Sequence, residues 1–376
     1  MRAHSSIAVA VAAVLSAGQA APATADELAD VYALILDDPT NAELNLQYAL
    51  IAEGKGKYRF ALAAYERILA NDPGNAAARR GLQRVRRIIQ PPVTQVTLET
   101  GIGYETNPLL KRDDGDGGFF GFAQARIRDE RTFDSTRWRT TASLYLDDYP
   151  DFDQLDYAVA SAGIGPIYDI PGAMVAVHPE LGGAVAALDG RFYYAEVNLS
   201  ATLEGYLDGA YQWARIRGGY RDYDSSFTAD SGFYADLTGQ LTRPDIFGDR
   251  DAFSVAPWVR WSDMDGSIVD ASSNELSPGR YVAGGARFQY DRALAEHLVA
   301  GLFFAVSDRL YTTDETPGGK DRQDLLLSPG VSLLFTDVFG RQGDLRVEYA
   351  YEDNNSNDDA HDYRNHKIKL SVAKRM

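Results

Sequence analysis

The side chains that could do covalent chemistry in this 376-residue chain are few. There is no Cys. That excludes thiol catalysis, Cys-bound zinc, a disulfide scaffold and a lipidated N-terminal Cys. The five His residues, His4, His178, His297, His361 and His366, share no metal-ligand spacing. No HExxH, no GxSxG and no phosphate loop occurs. A membrane hydrolase needs a nucleophilic Ser within reach of a His. Ser356 and His361 are the nearest approach to that pair, but they follow Asp353-Asn354-Asn355 in a run that reads as a solvated loop. Asp113-Asp114-Gly115-Asp116 offers hard oxygen donors to Ca²⁺ and lacks the remaining ligands of a calcium loop. The expectation is a protein that is not an enzyme and holds no metal and no cofactor.

A different chemistry is carried by arginine. Arg126, Arg128, Arg137, Arg139, Arg215, Arg217, Arg260, Arg287 and Arg346 fall on the polar side of segments that alternate polar and apolar. Such a row either attracts anions or pairs with acids on the same face, and spacing does not separate the two. The chain as a whole is acidic, with 37 Lys+Arg against 54 Asp+Glu and a net charge of −17. A nucleic-acid partner is therefore not expected, since that needs a basic footprint.

The elements that must position these arginines are β-strands. From Pro91-Pro92 onward the apolar period is two. In the first segment Val96, Leu98, Thr100, Ile102 and Tyr104 alternate with Gln95, Thr97, Glu99 and Gly101. In the sixth, Ala195, Val197, Leu199, Ala201 and Leu203 alternate with Glu196, Asn198, Ser200 and Thr202. About fourteen such segments fit residues 91–376, and the expected fold is mainly β: an antiparallel transmembrane barrel. A strand that crosses lipid needs about 9–11 residues with every backbone group paired, so its sheet must close. A soluble sandwich would send the arginines to bulk water, whereas a barrel sends them to a hydrated lumen. Connections also alternate in length. Long acidic loops (Glu105–Gly118, Asp147–Gln154, Arg221–Asp230, Asp263–Gly279, Asp308–Arg322, Glu352–Tyr363) would face outward, and short turns (Asp169–Gly172, Leu207–Gly209, Asp291–Glu296, Asp337–Gly343) inward. Tyr104, Tyr220, Trp261, Tyr290, Phe335 and Tyr349 suit interfacial girdles. The final residue, Met376, is not the aromatic that such barrels usually end on.

Ahead of the strands come two other pieces. Arg2, the apolar stretch Ile7–Leu15 and Ala23-Thr24-Ala25 have the order of a secretory signal, so residues 1–25 are expected to be removed. Export without Cys points to the envelope of a Gram-negative bacterium, with the barrel in the outer membrane and the piece before it in the periplasm. Residues 26–90 switch to helical spacing. Asp38-Pro39 and Asp72-Pro73 stand 34 residues apart, which is the tetratricopeptide period. Counting back from Pro73 puts Ala61 at the helix-crossing position, Tyr65 at the aromatic one and Asn45 where Trp is usual. A docking surface on these helices would draw on Asn45, Tyr48, Tyr65, Arg79 and Arg80. The arginine-rich last helix, which also contains Arg84, Arg86 and Arg87, reads as a solvated face.

Signal, short tetratricopeptide-like domain and barrel together resemble the surface lipoprotein assembly modulator (Slam) family. The local match is Gly101-Ile102-Gly103-Tyr104-Glu105-Thr106-Asn107-Pro108, similar to the family's "G-x-G-Y-D-S-N" segment with Glu105 for Asp and Thr106 for Ser. Ser161–Tyr168 looks like its "G-P-x-Y" strand. The resemblance implies a translocator that delivers lipoproteins, or related secreted cargo, to the cell surface, with outer-membrane lipid and the barrel-assembly machinery as partners. It marks Gly103, Tyr104, Glu105 and Asn107 as a family segment at the outer rim. Read as residues alone, the same segment is a strand end and a turn begun by Asn107-Pro108. Two alternatives stay open: an exopolysaccharide export porin, whose helical arrays are usually longer, and a passive porin or adhesin with acidic loops.

Overall fold

A computed structural model describes residues 25–89, 92–112, 115–133, 136–170, 174–207, 210–225, 231–265, 268–269, 275–276, 279–316 and 319–376. The expected signal segment, apart from Ala25, lies outside the described residues. The chain divides into two compact units, Met1–Ile89 and Gln90–Met376.

The first unit is four helices, α1 (Ala25–Asp37), α2 (Ala42–Gly54), α3 (Tyr58–Asn71) and α4 (Ala76–Ile88). Their ends follow from local chemistry. The residue before a proline is pushed out of helical geometry, and Asp38-Pro39 and Asp72-Pro73 follow the ends of α1 and α3. Asn41 and Asn75 then cap α2 and α4: Asn41 Oδ1 accepts the Glu43 and Leu44 amides at 3.1 Å each, and Asn75 Oδ1 accepts that of Ala78 at 3.0 Å. Small residues bring the helices together, with Ala49, Ala52, Ala61 and Ala64 all buried. Tyr65 lies flat on Gly81, where an added Cβ would stand 2.2 Å from the ring. Its phenol meets Glu53 at 3.1 Å, and Arg84 bonds both of them. Burial, with the Glu53 carboxylate beside it, pushes the Tyr65 phenol up from its ordinary pKa. Arg84 is thus interior, unlike the solvated face expected of the arginine run, because Glu53 neutralises it inside the unit. Removing one partner of such a pair strands the other charge.

The second unit is one antiparallel sheet closed on itself. Its strands are β1 (Val93–Glu105), β2 (Gly118–Phe133), β3 (Thr136–Asp148), β4 (Tyr157–Asp169), β5 (Val175–Leu188), β6 (Arg191–Leu207), β7 (Ala210–Tyr223), β8 (Gly232–Pro244), β9 (Asp251–Met264), β12 (Arg280–Ala295), β13 (Leu298–Glu315), β14 (Asp321–Phe335), β15 (Gly343–Ser356) and β16 (Tyr363–Arg375). Two short strands, β10 (Ile268–Val269) and β11 (Glu275–Leu276), pair with each other in the β9–β12 connection. The fourteen long strands follow sequence order round the wall, and β1 pairs with β16 to close it. At the seam the Val96 and Met376 amides each donate to the other's carbonyl, at 3.0 and 2.9 Å.

Alternation decides what each face carries. Leu98, Ile102, Val197, Leu199, Leu203, Ile216, Leu237, Val259, Leu302 and Ile368 are exposed on the outside. Glu196, Asn198, Ser200, Asp236, Asp324 and Ser371 are buried on the inside. A soluble protein does not display an apolar band of this extent to water. The connections depart from the reading of the sequence in four places, one being Asp291–Glu296, read as a turn but strand as far as Ala295. β13 runs to Glu315 and β15 to Ser356, so most of Asp308–Arg322 and Asp353–Ser356 is strand rather than loop. Polar residues there continue the inner face: Arg309 donates to Tyr311, and Asn354 donates to the carbonyl of His361. β5 and β6 join through a two-residue turn at Asp189-Gly190, both with φ near +60°, on the rim where long loops were expected.

In the helical unit, Arg84→Met leaves Glu53 buried without its cation. The expected cost is about 3 kcal/mol, read as lost amide protection across α2, α3 and α4 in hydrogen exchange. The barrel amides keep theirs.

Candidate functional site

The lumen gathers the charged side chains. A cavity of about 570 Å³ on the inner wall is lined by Arg126 and Arg128 of β2, Arg139 of β3, His178 and Glu180 of β5, Glu196 and Glu204 of β6, and Trp213, Arg215 and Arg217 of β7. Register brings these together: Arg126 pairs across to Ser143, and Arg215 to Thr202, which in turn faces His178.

Most of the arginines are committed to acids. Glu130 accepts from Arg128 Nε at 2.8 Å, Arg137 at 2.6 Å and Arg139 Nε at 2.8 Å. Arg139 also reaches Glu204, which accepts the Tyr211 hydroxyl at 2.7 Å. Asp236 holds Arg217 at 2.7 Å and Arg260 at 2.6 Å. Glu196 takes Arg221 at 2.7 Å, the Tyr234 hydroxyl and the Asn198 amide. Tyrosines complete the wall: the Arg221 guanidinium lies 4.4 Å over the Tyr194 ring, and that of Arg309 4.7 Å over Tyr281. Of the six arginines placed in the lumen from sequence, Arg128, Arg137, Arg139 and Arg217 are therefore ion-paired. Arg126 and Arg215 make no hydrogen bond or ion pair among the described residues.

The Gly103–Asn107 segment has a different role. Glu105 is 4 % exposed, on the inner face at the end of β1. It accepts from Asn365 Nδ2 at 2.7 Å and Tyr149 at 3.0 Å, and Lys367 stands 3.3 Å away. Asn365 Oδ1 accepts the amide of Asn107 at 3.0 Å. Asn107 in turn bonds both backbone groups of Lys111 and the carbonyl of Arg364. Gly103 is required because a Cβ there would stand 2.3 Å from the Phe120 ring. The Tyr104 and Phe119 rings meet at a tilt of 58°, with centres 4.9 Å apart. The segment is a clasp that ties the start of the first loop to β16. Asn365 and Tyr149 complete it, and sequence reading missed both because nothing local marks them.

In the helical unit the proposed docking residues separate. Asn45 is interior, donating to the Pro39 and Asn41 carbonyls and accepting from Arg67 at 2.8 Å. Tyr65 is interior as well. Neither offers a surface to cargo, since both are consumed by the packing of α2 against α3 and α4. Tyr48 lines a cleft of about 450 Å³ with Tyr32, Phe60 and Arg67. Burial also pushes its phenol up. Arg79 and Arg80 are exposed, Arg79 reaching the Pro73 carbonyl at 2.7 Å.

Ser356 and His361 form no nucleophile pair. The Ser356 hydroxyl accepts the Asp358 amide at 3.1 Å, and His361 stands 3.7 Å from the Asp358 carboxylate. Among the described residues no group of three His, Asp or Glu is placed to hold a metal ion. Asp113 and Asp114 lie outside the described residues.

Fold and lumen together define a transmembrane β-barrel of the outer-membrane type. No protein-family model matches the chain, and no curated protein matches it by sequence. Solved structures with the same kind of barrel include OmpTdeltaL8, a loop-deletion mutant of an outer membrane protein of Vibrio cholerae, at 10 % identity and TM-score 0.41, covering 76 % of this chain and 99 % of that one. The outer membrane channel DcaP of Acinetobacter baumannii is 11 % identical with TM-score 0.40, covering 76 % and 97 %. A bacterial polysaccharide outer membrane secretin is 10 % identical with TM-score 0.43, covering 75 % and 98 %.

Asn365→Ala removes the carboxamide that joins Glu105 to the Asn107 amide. Both are left buried without that partner, at an expected cost of about 2–3 kcal/mol. The first loop should then be nicked by external protease on intact cells, where the unaltered protein resists, while the barrel still migrates as a folded band in unheated gels.

Proposed function

We propose that this protein is an outer-membrane channel whose wet, charged lumen passes polar solutes, with the helical unit in the periplasm. The observation that carries this reading is the pairing of an apolar outer band with an inner wall of ion-paired arginines, acids and tyrosines round a cavity of about 570 Å³. Lipid tolerates the first and only water tolerates the second. A packed apolar filling, which a purely structural barrel could use, is not what the inner face carries. Periplasmic placement of the helices is consistent with the signal-like N-terminus and with both barrel ends lying on one rim.

A second reading is supported by the helical unit. Delivery of lipoproteins or other secreted proteins, which the resemblance to the Slam family implies, needs a place to hold an extended segment. The cleft between Tyr32, Tyr48 and Phe60, lined also by Lys57 and Arg67, offers apolar walls and two cations. Exposed Phe60, Leu34 and Leu50 add apolar surface to the same unit.

Purified protein in planar bilayers should give discrete conductance steps; a silent bilayer with correctly folded protein contradicts the channel reading. Deletion of the gene, followed by proteolysis of intact cells, separates the second. Loss of surface exposure of a lipoprotein supports it, and restoration by a Phe60→Asp variant at full level opposes a role for the cleft.

A further inference from the structure

We propose that the lumen holds an anion station built on Arg126 and Arg215, selective for small solutes bearing carboxylate or phosphate oxygens. The inference deepens the channel reading and rests on it.

Among the described residues, two of the five arginines that line this cavity differ from the other three. Arg128, Arg137, Arg139, Arg217, Arg221 and Arg260 are each bonded to Glu130, Glu196, Glu204 or Asp236, so their charge is answered within the protein. Arg126 on β2 and Arg215 on β7 line the same cavity and have no such acid among the described residues. Five arginines line that cavity against three glutamates. Two of these, Glu196 and Glu204, are already held by Arg221 and Arg139. The third, Glu180, accepts from Thr141 at 3.1 Å and, with Asp236, acts on Arg215 from a distance without bonding it. Two further polar atoms on this wall are buried and lack a protein partner: Nε2 of His178, on a side chain 3 % exposed, and Nε of Arg217. A buried polar atom without a partner is costly, and both sit on residues that line this cavity.

The physics favours an anion that is held briefly. Low-dielectric walls focus the field of two unanswered guanidinium groups into the cavity. Guanidinium forks match the oxygens of carboxylate and phosphate, where halide offers a single point. Glu180 keeps the site from becoming a trap, since conduction needs binding weak enough to release. An overall charge of −17 would repel anions at long range, so the local excess has a task that the mean charge cannot perform.

The test has two independent arms on the full-length protein. In the first, calorimetry on detergent-solubilised protein uses inorganic phosphate and succinate as probes. Saturable binding of either supports the station, and its source follows from which binds. Arg126→Gln with Arg215→Gln together should weaken that binding about tenfold or more, as loss of charge-assisted bonds does. Arg346→Gln, a lumen arginine away from this cavity, should leave it unchanged. In the second arm, the reversal potential across a KCl gradient should indicate preference for the anion, and the double variant should move it toward zero. Absence of binding by both probes, or a double variant that binds as the unaltered protein does, overturns the station. Binding without current keeps the station and overturns the channel.

Discussion

A backbone amide in lipid has no water to bond, and that constraint organises everything else in the second unit. A strand there cannot have a free edge. The seam between β1 and β16 is therefore the interaction on which the rest depends, since every other strand pair exists in the same form in an open sheet. It is made locally by the Val96–Met376 bonds and the Thr97–Arg375 to Glu105–Lys367 register. At the far rim it is reinforced by side chains, with Glu105, Asn107, Asn365 and Lys367 drawn from both partners. The segment that resembles a family signature thus does physical work at the point of closure.

Closure creates the second constraint. The inner face receives every other residue of fourteen strands and must satisfy them without a hydrophobic core. It does so with forks: carboxylates accept from two or three arginines, and tyrosine hydroxyls occupy their remaining lone pairs. Aromatic faces then cover guanidinium planes. An acid shared in this way fixes the positions of several strands at once, and so stiffens the wall. At Arg126 and Arg215, among the described residues, no acid is bonded, and both line the cavity of the wall.

The sequence carried the wall far better than the site. Strict alternation in stretches such as Glu196–Leu203 makes strand, face and closure readable, because period two and the cost of unpaired amides leave no other arrangement. Pairing across the lumen is not readable. Arg139 meets Glu204 three strands away, and Arg221 meets Glu196 by register, so neither partner is marked by spacing. The helical unit shows the same limit. Its turns and alanine crossings follow from local residue types, yet Asn45 and Tyr65 are interior because Arg67, Glu53 and Arg84 come to them from other helices. Asp353–Ser356 reads as loop by composition and is strand by pairing with β14.

The absence of Cys from the chain makes the central claim directly measurable. Thr202→Cys places a thiol on the lumen wall, and Leu203→Cys places one on the outer band, a single residue apart. In isolated membranes a charged, water-soluble thiol reagent should label the first and leave the second unmodified. Equal labelling of both, or recovery of the protein in the aqueous fraction, would contradict a closed cylinder with lipid outside and water within.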